Sequence, residues 1–281
     1  MKTTIIGLGW LGLPLAKFFK SQGHEVCGTS RTPEKVEALN QAGYKTLFFD
    51  LFDTKFDRKM PVKFVKDHNI IINIAPGRRS INPYEYATCM TGLIDYFFAH
   101  EASHITFIST SSVFGDEEGM VDEHSKPSPI SNSAIAHHAI EQYLMSYYPT
   151  SAVVLRLAGL IGPNLEGVKP AIRHPVYSLV KREEVNQGNT RVNLVHQFDV
   201  IQCIYAIVQQ QQSAKILHAC SLEHPSRKDY YTWAAQQLLL DTPKFSADNS
   251  LKEGKIVSAK HTLETLGVTL RYPSPFNMLA N

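Results

Sequence analysis

No apolar run in this chain approaches the ~20 residues that a membrane-spanning helix needs, so no transmembrane segment is expected. Cysteine is scarce. Cys27, Cys89, Cys203 and Cys220 stand far apart with no Cys-x-x-Cys spacing, which speaks against a disulfide scaffold and reads as reduced thiols. An excess of one charge is also missing. A formal net charge of +2 is too small to argue for a nucleic-acid or membrane partner. The twelve histidines are scattered, and none is assigned to a metal. Internal repeats are absent. The residues after Met1-Lys2 already belong to the first predicted strand, so no signal peptide and a cytoplasmic location are expected.

What is present starts at once. Thr3-Thr4-Ile5-Ile6 is a short apolar run leading into Gly7-Leu8-Gly9-Trp10-Leu11-Gly12, and an amphipathic pattern follows at Leu15, Phe18 and Phe19. A Gly-x-Gly-x-x-Gly spacing alone is weak, but here it follows a predicted strand and opens a helix, as its mechanism requires. Gly7 allows the tight turn, Gly9 the approach of backbone to a pyrophosphate, and Gly12 close packing of helix on strand. The helix N-terminus then offers N–H groups and partial positive charge to phosphates, with Trp10 and Leu11 in its first turn. The spacing therefore predicts a dinucleotide site.

Strand and helix patterns alternate through the first half. Strands are predicted at 24–29, 45–49, 69–75, 104–108 and 152–155, with helices starting at Thr32-Pro33, running near Tyr86–Phe97, and spanning about 133–147. The near-continuous apolar run from Asn69 to Ala75 suits a strand covered on both faces. Such alternation predicts an α/β fold, a Rossmann-type doubly wound parallel sheet. Beyond Gly162-Pro163 the pattern loosens. A boundary near 162 is expected, with residues 163–281 forming a smaller lobe over the sheet edge and segments near 193–210 returning to the first domain. In that part Asp199 is expected to cap a helix, Gln209–Gln212 reads as solvated surface, and Ser226 opens a further helix.

Dinucleotide sites for NAD carry an acidic residue about 20 positions past the glycines to bind the ribose 2′-hydroxyl. Here that region reads Gly28-Thr29-Ser30-Arg31, without a carboxylate. A small hydroxyl residue followed by a guanidinium suits a 2′-phosphate, which favours NADP over NAD. Asp50, closing the third strand, either accepts from the adenine amino group or is an ordinary turn residue.

Ser109-Thr110-Ser111-Ser112 ends the fifth strand in four hydroxyls, at the carboxyl edge where such sheets bind ligands. With Val113-Phe114-Gly115-Asp116, Val121-Asp122-Glu123, Leu155-Arg156-Leu157-Ala158-Gly159, Asn193-Leu194-Val195-His196 and Leu266-Gly267, the chain resembles an extended short-chain dehydrogenase/reductase. It is similar in particular to the YeeZ-like NAD(P)-binding branch, grouped with NAD-dependent epimerases and dehydratases. The resemblance spans nearly the whole chain in order.

The resemblance implies roles position by position. The catalytic hydroxyl, three residues before the Val of the strand-five segment, is Thr110. The following helix carries a Tyr-x-x-x-Lys pair in the family, and Glu141 fits the Glu four residues beyond its Lys. The Tyr position then holds Ser133 and the Lys position His137, so neither side chain of the pair is present. In the family the Tyr exchanges a proton with substrate, while the Lys holds the nicotinamide ribose. Ser133 and His137 lie four apart and share a helix face, which allows a Ser–His relay with a near-neutral imidazole. The alternative is that His137 and His138 are solvated helix residues. The resemblance also implies that Ala75 and Pro76 line the nicotinamide ribose, and Arg78 and Arg79 either clamp an anionic substrate or are surface charge. Members that bind sugar nucleotides often carry Asn where Gly159 stands, and Arg191 is one residue out of step with their later Arg, which speaks against a nucleotide sugar.

The reading is an NAD(P)-dependent oxidoreductase or epimerase-like protein of open substrate, with NADP preferred to NAD. The alternative is a catalytically silent NADP-binding sensor. A small-molecule substrate, no nucleic acid and no membrane are expected, and the oligomeric state is left open.

Overall fold

The computed structural model describes residues 1–52, 60–76, 82–246 and 252–279. Strand β1 (Lys2–Ile6) passes through the glycine loop into α1 (Gly12–Ser21), followed by β2 (Glu25–Ser30), α2 (Pro33–Gln41) and β3 (Lys45–Phe48). Next come β4 (Asn69–Ile72), α3 (Pro83–Ala99), β5 (His104–Thr110), β6 (Gly119–Val121), α4 (Asn132–Tyr147) and β7 (Ala152–Leu157). After them run β8 (Gly159–Pro163), β9 (Ile172–Arg173), α5 (Val176–Leu179), β10 (Leu194–His196) and α6 (Gln197–Gln210). The last elements are β11 (Lys215–Ala219), α7 (Arg227–Gln237), β12 (Lys255–Val257) and α8 (Lys260–Leu266).

Seven strands form one sheet in the order β11-β7-β5-β4-β1-β2-β3, and the pairings from β5 to β3 are parallel. This is the doubly wound α/β architecture read from the sequence. The chain works outward from β1 in one direction and from β4 in the other. The switch point, where such sheets bind ligands, therefore lies between β1 and β4, directly above the glycine loop. β4 is buried along its whole length, as the unbroken apolar run required.

The helices start where local chemistry lets them. Pro33 and Pro83 occupy the first turns of α2 and α3, where a missing N–H costs nothing. Asn82 accepts from the N–H groups of Tyr84 and Glu85, Ser131 from Ala134, and Ser226 from Asp229. One face of α3 (Tyr86, Met90, Leu93, Ile94, Phe97) and one of α4 (Ala136, Ile140, Leu144) then meet Ile6, Ile70, Ile72 and Phe107 of the sheet in one core. Each large side chain buried there contributes about 1.5–3 kcal/mol.

The chain divides into two compact units, and the division is not a single cut near residue 162. One comprises residues 1–113, 129–155 and 204–216, the other 114–128, 156–203 and 217–279 of the described chain. The second unit holds the β10-β8-β9 and β12-β6 sheets, built from segments of two to five residues, most of them paired across long sequence distances. Short strands of that kind leave no periodicity to read. Its core gathers Ile161, Val176, Leu194, Tyr230 and Ala234.

Two sequence readings are corrected. Gln209–Gln212 is not merely solvated surface: Gln209 Nε2 lies 2.9 Å from His24 Nε2, Gln211 donates to Asn69 Oδ1 at 3.0 Å, and the Gln212 carbonyl meets His104 Nε2 at 2.5 Å. These residues tie the end of α6 to the amino edge of the sheet. Asp199 does not cap a helix. It is 1% exposed, and its two oxygens accept the backbone N–H groups of Arg271 and Tyr272 at 2.8 and 3.1 Å. Among the described residues no helix is long and apolar enough to cross a membrane.

Candidate cofactor and catalytic site

Each glycine of the loop answers to a different constraint. Gly7 has φ +105°, and a Cβ there would lie 2.6 Å from the Asn73 carbonyl oxygen. A Cβ on Gly12 would lie 2.0 Å from the Gly7 carbonyl oxygen, so helix and loop touch backbone to backbone. Gly9 is unlike both, because among the described residues a Cβ there would meet nothing within 4 Å. Nothing among the described residues demands glycine at that position. The space it leaves open is what close backbone approach by a diphosphate requires, and the residues present fit that group.

The loop is braced from both neighbouring strands. Thr29 Oγ1 accepts the Gly7 N–H at 3.0 Å, and the Thr29 carbonyl accepts the Leu8 N–H at 2.7 Å. From β4, Asn73 Nδ2 donates to the Gly7 carbonyl at 3.3 Å. Helix α1 has Leu11 at its N-cap position and no side-chain cap, in contrast to α3, α4 and α7, so its leading N–H groups have no capping side chain among the described residues. Leu11 is buried in the core and can serve a cofactor only through its backbone, whereas Trp10 is half-buried.

At the end of β2, Ser30 is buried and its Oγ lies 3.4 Å from the Thr32 N–H. Arg31 is exposed, and no carboxylate pairs with it among the described residues. Asp50 Oδ1 accepts the Phe52 N–H at 3.1 Å, the arrangement of a turn residue, on a half-buried side chain. Beyond β4, Ala75 is exposed and Pro76 buried, and Tyr86 Oη holds the Ile74 carbonyl just before them at 2.6 Å. Arg78 and Arg79 lie outside the described residues.

The hydroxyls ending β5 are divided between inward and outward tasks. Ser109 donates to Oε1 of Glu141 at 2.5 Å, and that carboxylate is 1% exposed. Half-buried Thr110 donates to Ser112 Oγ at 3.0 Å and accepts the Ser112 N–H at 3.1 Å. Ser112 itself is exposed.

His137 departs from the relay expectation. It is 6% exposed, with its ring packed beside Phe107 and Tyr86 at centroid distances of 5.5 and 6.5 Å. Burial pulls its pKa down to about 4, with a smaller opposing effect from Glu141. The ring is therefore neutral near pH 7, not poised to exchange a proton there. Half-buried Ser133 makes no hydrogen bond with it among the described residues, although the two share a helix face. Helical phase turns position 137 into the core and leaves the adjacent His138 partly exposed.

Positions that bear on substrate class lie in the second unit. A Cβ on Gly159 would lie 2.8 Å from Leu194 Cδ2 and 3.1 Å from the Asn193 carbonyl oxygen, so an Asn there would require Leu194 to shift and the Asn193 carbonyl to give way. Arg191 is paired with Glu253 at 2.8 Å. Asn193 is structural, donating to the Lys255 carbonyl at 2.9 Å and accepting the Val257 N–H at 2.7 Å. His196 accepts the Phe198 N–H at 3.1 Å and packs on Tyr272 at 3.9 Å between ring centroids.

Sequence reasoning missed Thr29, Asn73, Tyr86 and the Ser109–Glu141 pair. One signal was available: Asn73 is a polar residue inside an otherwise apolar run.

Comparison with known proteins agrees with this geometry. Residues 4–220 match the profile of the NAD dependent epimerase/dehydratase family. The chain is 32% identical over 278 residues to Protein YeeZ of Escherichia coli (strain K12), covering 99% of this chain and 98% of that protein. Among solved structures, a functionally unknown conserved protein from Silicibacter pomeroyi is 22% identical with a TM-score of 0.74, over 99% of this chain and 96% of that one. UDP-glucuronic acid 4-epimerase from Bacillus cereus, in complex with NAD, is 18% identical with a TM-score of 0.77, over the same shares.

Proposed function

Because this chain belongs to the NAD dependent epimerase/dehydratase family, we propose that it binds NADP at the glycine loop and acts on a small molecule as an oxidoreductase or epimerase-like enzyme. One observation supports this most: Gly9 stands open in a loop that the protein braces from two strands at the switch point of its sheet. The backbone of Gly9 to Gly12 would hold the diphosphate. Ser30 and Arg31 would hold the 2′-phosphate, which argues for NADP over NAD, since exposed Arg31 has no carboxylate partner among the described residues. Asp50 with its turn would lie at the adenine end, Ala75 and Pro76 at the nicotinamide ribose. The cofactor, when bound, supplies hydride acceptance and donation, and the protein supplies binding, orientation and exclusion of water. The reading takes the protein as a cytoplasmic one that acts without nucleic acid or membrane.

A second reading has its own support. With Ser133 and His137 in place of Tyr and Lys, and His137 neutral and buried, the chain also suits a catalytically silent NADP-binding sensor. Two measurements separate them. Calorimetric titration with NADPH and NADH should show NADPH binding at least tenfold tighter, and equal or tighter NADH binding overturns the preference. Absorbance of the reduced nicotinamide across a panel of carbonyls and alcohols should change with the enzyme. Binding without turnover across that panel favours the sensor.

A further inference from the structure

Resting on the cofactor reading above, we propose that His138, backed by the buried carboxylate of Glu141, is the acid/base of this protein in place of the missing tyrosine. Glu141 is anchored at the ligand-binding edge of the sheet. Its Oε1 accepts from Ser109, which immediately precedes Thr110 at the carboxyl end of β5. Its Oε2 lies 3.7 Å from Nδ1 of His138, one turn earlier on α4. That nitrogen is sealed from solvent and has no hydrogen-bond partner among the described residues, while the side chain as a whole is 23% exposed. The ring therefore turns Nδ1 toward the carboxylate, which leaves Nε2 as its other hydrogen-bonding atom.

A carboxylate behind one imidazole nitrogen fixes the ring and steadies the imidazolium that forms when the other nitrogen takes a proton. The 3.7 Å separation is longer than a hydrogen bond, and catalytic bonds of this kind commonly tighten only in the complex with substrate. In the oxidative direction Nε2 of His138 accepts the proton of a substrate hydroxyl. A bound oxidised nicotinamide would supply the acceptor for the hydrogen on the same carbon and its electron pair, leaving a carbonyl. Reduction runs the same transfers backward. His137 is the counterexample next door, packed beside Phe107 and Tyr86, with no ion pair to a carboxylate among the described residues and only 6% exposed.

The test needs no known substrate. The full chain is treated with diethyl pyrocarbonate, and carbethoxylation is followed residue by residue by mass spectrometry, with and without saturating NADPH. His138 should react, His137 should not, and NADPH should slow His138 at least fivefold while leaving exposed His124 and His261 unchanged. The E141Q variant should slow His138 at least threefold without cofactor, and the wild-type protection result stands even if that variant does not fold. Equal labelling of His138 with NADPH bound, or faster labelling of His137, overturns the proposal. Calorimetry on the same sample separates the two levels, because absence of NADPH binding sinks the cofactor reading itself.

Discussion

Asn73, at the end of the β4 run, donates from Nδ2 to the carbonyl of Gly7, which closes the glycine loop from the strand across the switch point. The Asn73 carbonyl sits so near Gly7 that no side chain fits between them. Loop shape is thus set by the protein before any ligand arrives, which lowers the ordering cost of binding.

Gly9 and Gly12 should respond oppositely to alanine. Gly9→Ala places its methyl in open space, so stability by urea unfolding should change by less than about 1 kcal/mol, while NADPH affinity should fall at least tenfold. Gly12→Ala drives a methyl into the Gly7 carbonyl and should cost about 3 kcal/mol or more of stability. Unchanged NADPH binding by a folded G9A variant would count against the diphosphate site.

Arg31→Ala removes an exposed guanidinium with no carboxylate partner among the described residues, so the fold should be unaffected. NADPH affinity should drop by about 1.5–3 kcal/mol, roughly ten- to a hundredfold, with NADH affinity unchanged. Equal loss for both cofactors in paired titrations would remove Arg31 from 2′-phosphate recognition.

His137 makes stability pH-dependent with a defined sign. Its pKa in the fold, about 4, lies below its ordinary 6.5, so between those values the unfolded chain holds the proton and the folded chain does not. Stability should be full above pH 6.5 and fall toward pH 4, by about 3 kcal/mol across the window from this residue. His174 and His196 are lowered by burial to about 4 as well and act in the same sense. Urea unfolding of H137F and wild type at pH 7, 5.5 and 4.5 isolates the one ring. The gap should widen in favour of H137F as pH falls, and a constant gap would show that His137 is not held neutral.

Gly159→Asn restores the side chain found in nucleotide-sugar members, against the Asn193 carbonyl and Leu194. Overpacking of this kind should cost about 1–3 kcal/mol in unfolding experiments. Full stability of G159N would reopen the substrate class that the close packing argues against.

The sheet was legible because its strands are apolar on both faces and its loop glycines carry a mechanism. The run from Asn69 to Ile72 and the Ile5-Ile6-Gly7 junction needed only periodicity and spacing. The glutamines ending α6 were misread because a polar run looks solvated until the partners His24, Asn69 and His104 are brought to it by the fold. Strand β11, Lys215–Ala219, escaped because its five residues mix charge, apolar bulk and a buried His218. The two adjacent histidines show the limit most clearly. Motif register placed His137 at the active position, but which residue of the pair faces the core depends on the rotational phase of α4, and that is set by the packing of Ala136, Ile140 and Leu144.

Amide chemical shifts of 15N-labelled protein titrated with NADPH test the central claim most directly. The amides of Gly9, Trp10, Leu11 and Gly12 should move first and furthest, saturating with the affinity measured by calorimetry. Shifts confined to other regions, or none at millimolar NADPH, would contradict it.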